Sequence, residues 1–113
     1  KPVSYRDALR LLPEREQFVA LWRTIERMEQ EQQSDIAQFP MLRRLAASLR
    51  GKDSFLRAAL GVAVFMERGL VSLERGNGSL SVHPIPGRRA DLEQSAYMKE
   101  LRRIIQENTK GGS

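Results

Sequence analysis

The stretch FLRAALGVAVFMERGLV, residues 55–71, runs directly into LVSLERGNGSLSVHP, residues 70–84, and these two segments decide the fold of the chain. The first is apolar around more than one face of a helix and ends near Gly69, a residue type that favours helix C-termini. The second alternates apolar and polar residues on both sides of Asn77-Gly78, a dipeptide that suits a tight turn because both turn positions require positive φ. We therefore predict a long apolar helix followed by a β-hairpin.

Three further helices are predicted before this pair. Residues 5–12 are expected to form a short helix that a proline ends. From Glu14 onwards apolar residues recur at steps of three and four, which predicts an amphipathic helix with one buried stripe. The stripe consists of Phe18, Leu21, Trp22, Ile25 and Met28. A loop is expected over residues 33–39, and Asp35 or Pro40 is expected to open the next helix.

The apolar helix and one more helix complete the prediction. Asp53 or Ser54 is expected to cap the apolar helix, which should be covered on more than one face because it is apolar on more than one face. A final helix is expected over residues 91–108, with Tyr97 or Met98 on its buried stripe. The predicted fold class is mainly α with a small β-hairpin (α+β), a winged-helix-like domain with an additional C-terminal helix.

The length and composition indicate one soluble domain. The 113 residues suffice for a single modest core, which we place at residues 1–110, with 111–113 as a disordered tail or cloning scar. Because the chain begins at Lys1 without a leader, we expect it to be a piece of a longer protein. Charged residues interrupt the apolar run, so no membrane-spanning helix is expected. The absence of cysteine excludes disulfides, thiolate catalysis and cysteine-based zinc sites, and we expect a cytoplasmic location.

Charge is distributed unevenly along the chain, whose formal net charge is +5. Residues 14–31 carry five glutamates against three arginines, whereas residues 43–57 carry five cations against one aspartate. A basic surface centred on residues 43–57 would attract phosphates or an acidic peptide and would weaken in salt. The candidate partner-binding residues are Arg43, Arg44, Arg50, Lys52 and Arg57. The alternative is a solvated basic face without a ligand.

Catalytic motifs are missing from the sequence. The single histidine, His83, lies between a predicted strand and a proline, and no Gly-x-Ser-x-Gly segment accompanies it. The acidic residues mostly lie at helix-surface spacing next to arginine or lysine and do not suggest a metal site. The glycines of the hairpin turn lack the lysine and the strand-to-helix context of a phosphate loop. We expect that this chain alone is not an enzyme and holds no metal or cofactor.

Two kinds of ligand fit the basic residues. Arg75, Arg88 and Arg89 are the further candidates for nucleic-acid contact, but the apolar helix has only three charged residues for reading bases. Contact with phosphates without sequence preference stays open. Phe18 and Trp22 would suit base stacking, yet they lie on the core stripe, so packing is the preferred interpretation. The preferred ligand of the 43–57 surface is an acidic peptide ending in a hydrophobic residue.

Two segments, LLPEREQFVALW (residues 11–22) and VFMERGLVSLERGNGSLSVHPIPGRRADLEQSAY (residues 64–97), resemble the C-terminal domain of RecJ-type single-stranded-DNA-specific exonucleases of some bacteria. Pro13, Arg15 and Phe18 are similar to a Pro-x-Arg-x-x-Phe helix start of that family. The apolar helix end, the glycine-containing hairpin, the proline-rich exit and the Asp-Leu-x-x-Ser segment are similar as well. The resemblance spans most of the chain, and its motifs are structural rather than catalytic.

The resemblance implies an accessory module of a hydrolase that degrades single-stranded DNA from the 5′ end in DNA repair and recombination. In that family the nuclease centre, which uses Mn or Mg, lies in upstream domains with Asp-His-His-type motifs, and no such triplet occurs here. The implied partner is the acidic, phenylalanine-ended tail of single-stranded-DNA-binding protein. Two alternatives stay open: a sequence-tolerant domain that holds the DNA strand, and a structural domain whose apolar helix packs on the nuclease core.

Overall fold

The computed structural model describes residues 3–31, 35–36, 38–76 and 80–111 of the chain. The helices are α1 (Tyr5–Leu11), α2 (Arg15–Gln30), α3 (Gln38–Ala47), α4 (Ser54–Glu67) and α5 (Ala96–Gly111). The strands are β1 (Asp35–Ile36), β2 (Val71–Arg75) and β3 (Leu80–Pro84), and a short 3-10 helix spans Leu92–Gln94. The predicted class, mainly α with a small antiparallel hairpin, is confirmed. The predicted Asn77-Gly78 turn lies outside the described residues.

The sheet has three strands in the order β1-β3-β2, and both pairs are antiparallel. Val71 pairs with Pro84 at one end of the hairpin, and Arg75 pairs with Leu80 at the other. The expected loop over residues 33–39 is wrong in part, because Asp35 lies in β1 and pairs with Ser81. Two residues are too few to show alternation, so this strand is set by its partner β3 rather than by its own sequence.

The helix that was expected to open at Asp35 or Pro40 starts between these two residues. It begins at Gln38, so neither Asp35 nor Pro40 opens it. Pro40 is the third residue of α3, within the first turn, where a missing N–H costs no intrahelical hydrogen bond.

The main core lies between α2, α3, α4 and the hairpin. The predicted stripe of α2 is buried along its length, except that Trp22 is half-buried. From the other helices and the hairpin, the core receives Met41, Leu45, Val64, Phe65, Val82 and Met98. Helices α2 and α4 approach closely at Gly61, where an added Cβ would stand 2.3 Å from Cδ1 of Leu21. The absence of a side chain at Gly61 is therefore what permits this packing.

The first and last helices form a second, smaller core. Ala8 of α1 packs with Leu101 and Ile104 of α5, and Leu60 of α4 packs against the same cluster. On α5 the buried stripe contains Met98, while Tyr97 is exposed, which decides between the two predicted residues.

Among the helices of the described residues, none combines the length and the apolar composition that a membrane span requires.

The boundaries of α5 differ from the predicted 91–108. Asp91 instead caps the short 3-10 helix by accepting a hydrogen bond from the N–H of Glu93 (3.0 Å). The helix proper begins after Ser95, whose Oγ accepts from the N–H of Tyr97 (3.1 Å). It continues to Gly111, into the stretch expected to be a tail, because glycine is the first strong helix-ending residue after Asn108.

Glu67, the last residue of α4, is bonded to the start of α5. Its carboxylate accepts hydrogen bonds from Oγ of Ser95 and from the N–H of Ala96 (2.7 Å). The Ser95 hydroxyl, followed by the Ala96 amide, holds the pKa of Glu67 below its ordinary value. A carboxylate is also favoured there by the positive end of the helix dipole. The end of α4 and the start of α5 are thus joined by one side chain.

Candidate functional site

The 43–57 surface is only partly available to a partner. Arg43, Arg50 and Lys52 are exposed, on α3 and in the loop between α3 and α4. Arg44 is half-buried, and its Nη2 lies 2.6 Å from Oε1 of Glu31 in an ion pair. The exposed cations of this stretch are therefore Arg43, Arg50 and Lys52.

Arg57 is occupied by hydrogen bonds that hold three helices together. Its Nε donates to the carbonyl of Arg10 (3.0 Å) and its Nη2 to the carbonyl of Leu9 (3.1 Å), both in α1. Its Nη1 donates to Oε1 of Gln17 in α2 (3.1 Å), and Nε2 of Gln17 donates in turn to the carbonyl of Arg50 (3.4 Å). Because these bonds use each of its guanidinium nitrogens, we assign Arg57 a structural role and omit it from the partner-binding set.

Asp53 also differs from its expected role. It stands at the N-cap of α4 with φ of 60°, and its side chain makes no capping hydrogen bond. Its Oδ1 instead accepts from Nε (3.1 Å) and Nη2 (2.8 Å) of Arg10. The Arg10 hydrogen bond holds the pKa of Asp53 below its ordinary value. The single anion of the 43–57 stretch is therefore paired with α1 and leaves the charges of Arg50 and Lys52 exposed to solvent.

The apolar helix α4 packs against α1, α2, α3 and β2, so the expectation that it is covered on more than one face is confirmed. Gly61, Val64 and Phe65 lie in the main core, and Leu60 packs against the core of α1 and α5. Apolar residues stay exposed near the two ends of the helix, where Phe55 is 39% exposed and Leu56 and Met66 are exposed to a similar degree. Phe55 and Leu56 come shortly after Arg50 and Lys52 in the chain, so exposed cationic and apolar residues occur together around the start of α4.

The three candidate cations in and after the hairpin do not form one group. Arg75 lies at the turn end of β2, whereas Arg88 and Arg89 follow β3 at the opposite end. Four residue steps of strand separate the ends, roughly 13 Å. All three side chains are exposed, and Nη1 of Arg88 lies near Gly69, 3.5 Å from the position of an added Cβ. There it adjoins the C-terminal end of α4, which the helix dipole makes favourable for a cation.

His83 lies half-buried in β3 between two carboxylates. Its Nδ1 is 2.7 Å from Oε2 of Glu29, and its Nε2 is 3.9 Å from Oε2 of Glu74. The contact with Glu29 ties β3 to α2. Within residues 3–31, 35–36, 38–76 and 80–111, no group of three or more His, Cys, Asp or Glu residues could hold a metal ion.

A cleft of about 600 Å³ lies between α2 and residues 90–93, a feature that the sequence interpretation missed. Its apolar lining consists of Pro13, Phe18, Val19, Trp22, Phe65, Leu70, Ala90 and Leu92. Phe65 meets the edge of Trp22 at 5.5 Å between ring centroids and packs at a tilt against Phe18 at 5.8 Å. Val19 is 43% exposed. The aromatic residues therefore pack in the core, in agreement with the interpretation preferred over base stacking. They also line the inner wall of a surface cleft.

Arginines stand around the cleft. Arg15 and Arg23 belong to α2 and are exposed, and no ion pair engages either of them in the described part of the chain. Arg102 on the other wall is paired with Glu93 through two hydrogen bonds, one of them 2.8 Å from Nη2 to Oε2. Glu26 of α2 and Asp91 beside Glu93 also line the cleft, so three carboxylates stand among its three arginines. Of these arginines, Arg15 and Arg23 have no ion pair with a carboxylate in the described ranges.

Comparison with known proteins gives no match for this chain, whether with family models, with curated proteins or with solved structures.

Proposed function

We propose that this chain is the winged-helix-like C-terminal accessory domain of a RecJ-type exonuclease, and that it recruits the nuclease in the cytoplasm by binding the acidic tail of single-stranded-DNA-binding protein. Catalysis and its Mn or Mg ions would belong to other domains of the same protein. The proposal extends the sequence resemblance of residues 11–22 and 64–97. It takes support from the order of elements from α2 onwards, which is a helix, a short strand, two helices and a hairpin. The three strands pair in the order β1-β3-β2.

The exposed apolar residues of α4 are the observation that carries this proposal. A winged helix that reads DNA presents charged and amide side chains from the helix before its hairpin. Here Phe55, Leu56 and Met66 are exposed on that helix instead. Such residues suit a protein partner, and the nearby Arg50 and Lys52 suit a partner with carboxylates. Acidic residues followed by an aromatic one would satisfy both parts of this surface.

Peptide binding tests the proposal directly. Fluorescence anisotropy would compare the labelled acidic tail, the same peptide without its terminal phenylalanine, and a single-stranded oligonucleotide, each at two salt concentrations. We expect the full tail to bind and the shortened tail to bind at least tenfold more weakly. Failure of the full tail to bind would contradict the recruitment proposal.

Charge reversal separates the peptide surface from the hairpin cations. Arg50→Glu/Lys52→Glu and Arg88→Glu/Arg89→Glu change the net charge equally, so the second variant is a matched control for the general field of the protein. We expect the first to weaken tail binding about tenfold or more, and the second to change it much less. Equal effects would indicate nonspecific attraction and would contradict a defined peptide surface.

Holding of the DNA strand is the second candidate function. It is favoured by the exposure of Arg75, Arg88 and Arg89, none of which has an ion pair among the described residues. In that case the oligonucleotide alone would bind, with a salt slope set by the number of phosphates contacted. Because the structure separates Arg75 from the other two, a bound strand would have to span the length of the hairpin. If neither ligand binds, a purely structural role of α4 against the nuclease domains becomes the preferred proposal.

A further inference from the structure

We infer that the outer edge of β2 pairs with the same edge of a second copy of this chain, so that the two sheets join into one continuous antiparallel sheet. This inference goes beyond the proposed function, because it assigns a surface for self-association and uses no residue of the 43–57 surface. Three properties of the sheet support it: the hydrogen-bond pattern of the hairpin, the contrast between the two edges, and the charges along β2.

The hydrogen-bond pattern of the hairpin leaves one edge of β2 unpaired. The N–H of Ile85 donates to the carbonyl of Leu70 (2.8 Å), and in the register Val71 stands opposite Pro84, which has no N–H to donate. Bonded and non-bonded pairs alternate along an antiparallel ladder, so every second residue of β2 points its N–H and carbonyl away from β3. No backbone hydrogen bond to a loop engages these outward-pointing residues in the described part of the chain. They are Val71, Leu73 and Arg75.

The two edges of the sheet differ in their protection. At the far edge β1 has only two residues, and Pro84 of β3 offers no N–H beyond it. A very short strand and a proline are both features that protect a sheet edge from pairing with another chain. Strand β2 is instead five residues long, contains no proline and pairs with β3 in a continuous register. Its residues 72–75 are exposed or half-buried, so solvent reaches this edge and a further strand can approach it.

Hydrogen bonding and charge together select one register for two copies. A two-fold axis at Leu73 places this residue opposite Leu73 of the second copy and places Val71 opposite Arg75. All three outward-pointing residues then form bonded pairs, with roughly six hydrogen bonds in total. An axis at Ser72 would leave Arg75 unpaired. An axis at Glu74 would set two glutamates directly opposite each other, which is destabilising.

The contact is small, so self-association should be weak. Two five-residue strands bury less surface than the interfaces of stable complexes do. We therefore expect an equilibrium between monomer and dimer in which the dimer is populated at protein concentrations of about 0.1 mM and above.

The variants Ser72→Lys and Ser72→Glu test the register, because Ser72 is exposed and would lie opposite Glu74 of the second copy. Sedimentation equilibrium measures the dissociation constant of the dimer, and far-UV circular dichroism checks that each variant folds. We expect Ser72→Lys to tighten the dimer about two- to thirtyfold, since the new ion pair occurs twice, and Ser72→Glu to weaken it by a similar factor. The general field of the protein predicts the reverse order, because Glu lowers the net charge of +5 and Lys raises it. Each variant is thus the matched control of the other.

Amide hydrogen exchange locates the contact on β2. The N–H of Leu73 points outward in the monomer, whereas the N–H of Glu74 points towards β3. As the protein concentration rises, exchange at Leu73 should slow at least tenfold, and exchange at Glu74 should change much less. Arg75→Pro removes an outward-pointing N–H from each copy, which an edge strand tolerates, and should weaken the dimer about tenfold.

Three results would overturn the inference. The first is a chain that stays monomeric at about 1 mM, where even a weak interface is populated. The second is a dimer in which exchange at Leu73 is unchanged, because another surface would then form the contact. The third is a dimer that Ser72→Glu tightens and Ser72→Lys weakens. Tail binding at Arg50 and Lys52 is measured separately, so failure of the proposed function and failure of this inference are distinguishable.

Discussion

Phe65→Ala tests whether α4 is oriented as described. Phe65 is 2% exposed and contacts the rings of Phe18 and Trp22, so truncation removes a buried ring together with two aromatic contacts. Core Phe→Ala changes cost about 3 to 5 kcal/mol, a value that already includes the cavity left behind. The total stability of such a domain is about 5 to 15 kcal/mol, so the variant should fold but with a much smaller margin.

Urea unfolding followed by Trp22 fluorescence and by circular dichroism measures this loss. With an m-value of about 2 kcal/mol per molar, the midpoint should fall by roughly 2 M. The native emission of Trp22 should also change, because its edge contact with Phe65 is lost. Phe55→Ala is the control on the same helix, where the side chain is 39% exposed and the expected loss is about 1 kcal/mol. Equal losses in the two variants, or a larger loss for Phe55→Ala, would contradict the assignment of Phe65 to the buried face of α4.

Three further changes probe the contacts that join the helices. Arg57→Met removes three hydrogen bonds and should destabilise the domain by about 1 to 3 kcal/mol, with faster amide hydrogen exchange in α1, whereas Arg50→Met at an exposed position should change little. The pKa of Glu67 is lowered in the folded state, so its carboxylate stabilises the fold fully above the unfolded pKa of about 4.3. This contribution to the free energy of unfolding is lost as the pH falls further. Glu67→Gln should therefore flatten the acid limb of a stability-against-pH curve, and an unchanged limb would contradict this. Gly61→Ala should cost up to about 2 kcal/mol, since crowding against Leu21 outweighs the gain in helix propensity. A thermal melt of Gly61→Ala/Leu21→Ala checks the cause, because the two losses should not add if they share this contact.

The segments with strong local signals could be predicted from the sequence. The buried stripe of α2 and the helix-to-hairpin order follow from periodicity, which records the face that each residue presents. Strand β1 could not be predicted, because its two residues are ordered by pairing with Ser81 and Leu80 of β3. The exposed apolar residues near the ends of α4 could not be predicted either, since an apolar helix does not specify which of its residues its neighbours will cover.

The candidate site depended still more on tertiary structure. Composition identifies a basic stretch, but Arg57 within it donates hydrogen bonds to carbonyls of α1 that are more than forty residues away in the chain. The cleft brings Val19 and Trp22 of α2 against Leu92, which no local pattern relates to them. A signal did exist in Arg15 and Arg23, two cations on the same helix as the aromatic stripe. The glutamates of residues 14–31 outnumber the arginines, so the charge balance of the segment gives no indication of these two cations.

The pairing of α1 with α5 has a consequence for the order in which the protein folds. Ala8 finds its partners Leu101 and Ile104 only after roughly 90 further residues have been synthesised, and contacts of such sequence separation form slowly. Until then α1 has the hydrogen bonds of Arg57 and Asp53 and the apolar side chain of Leu60, all supplied by the segment that ends with α4. A growing chain would therefore hold its first helix mainly by polar contacts to this segment, and would complete the apolar core around Ala8 only when the last helix is added.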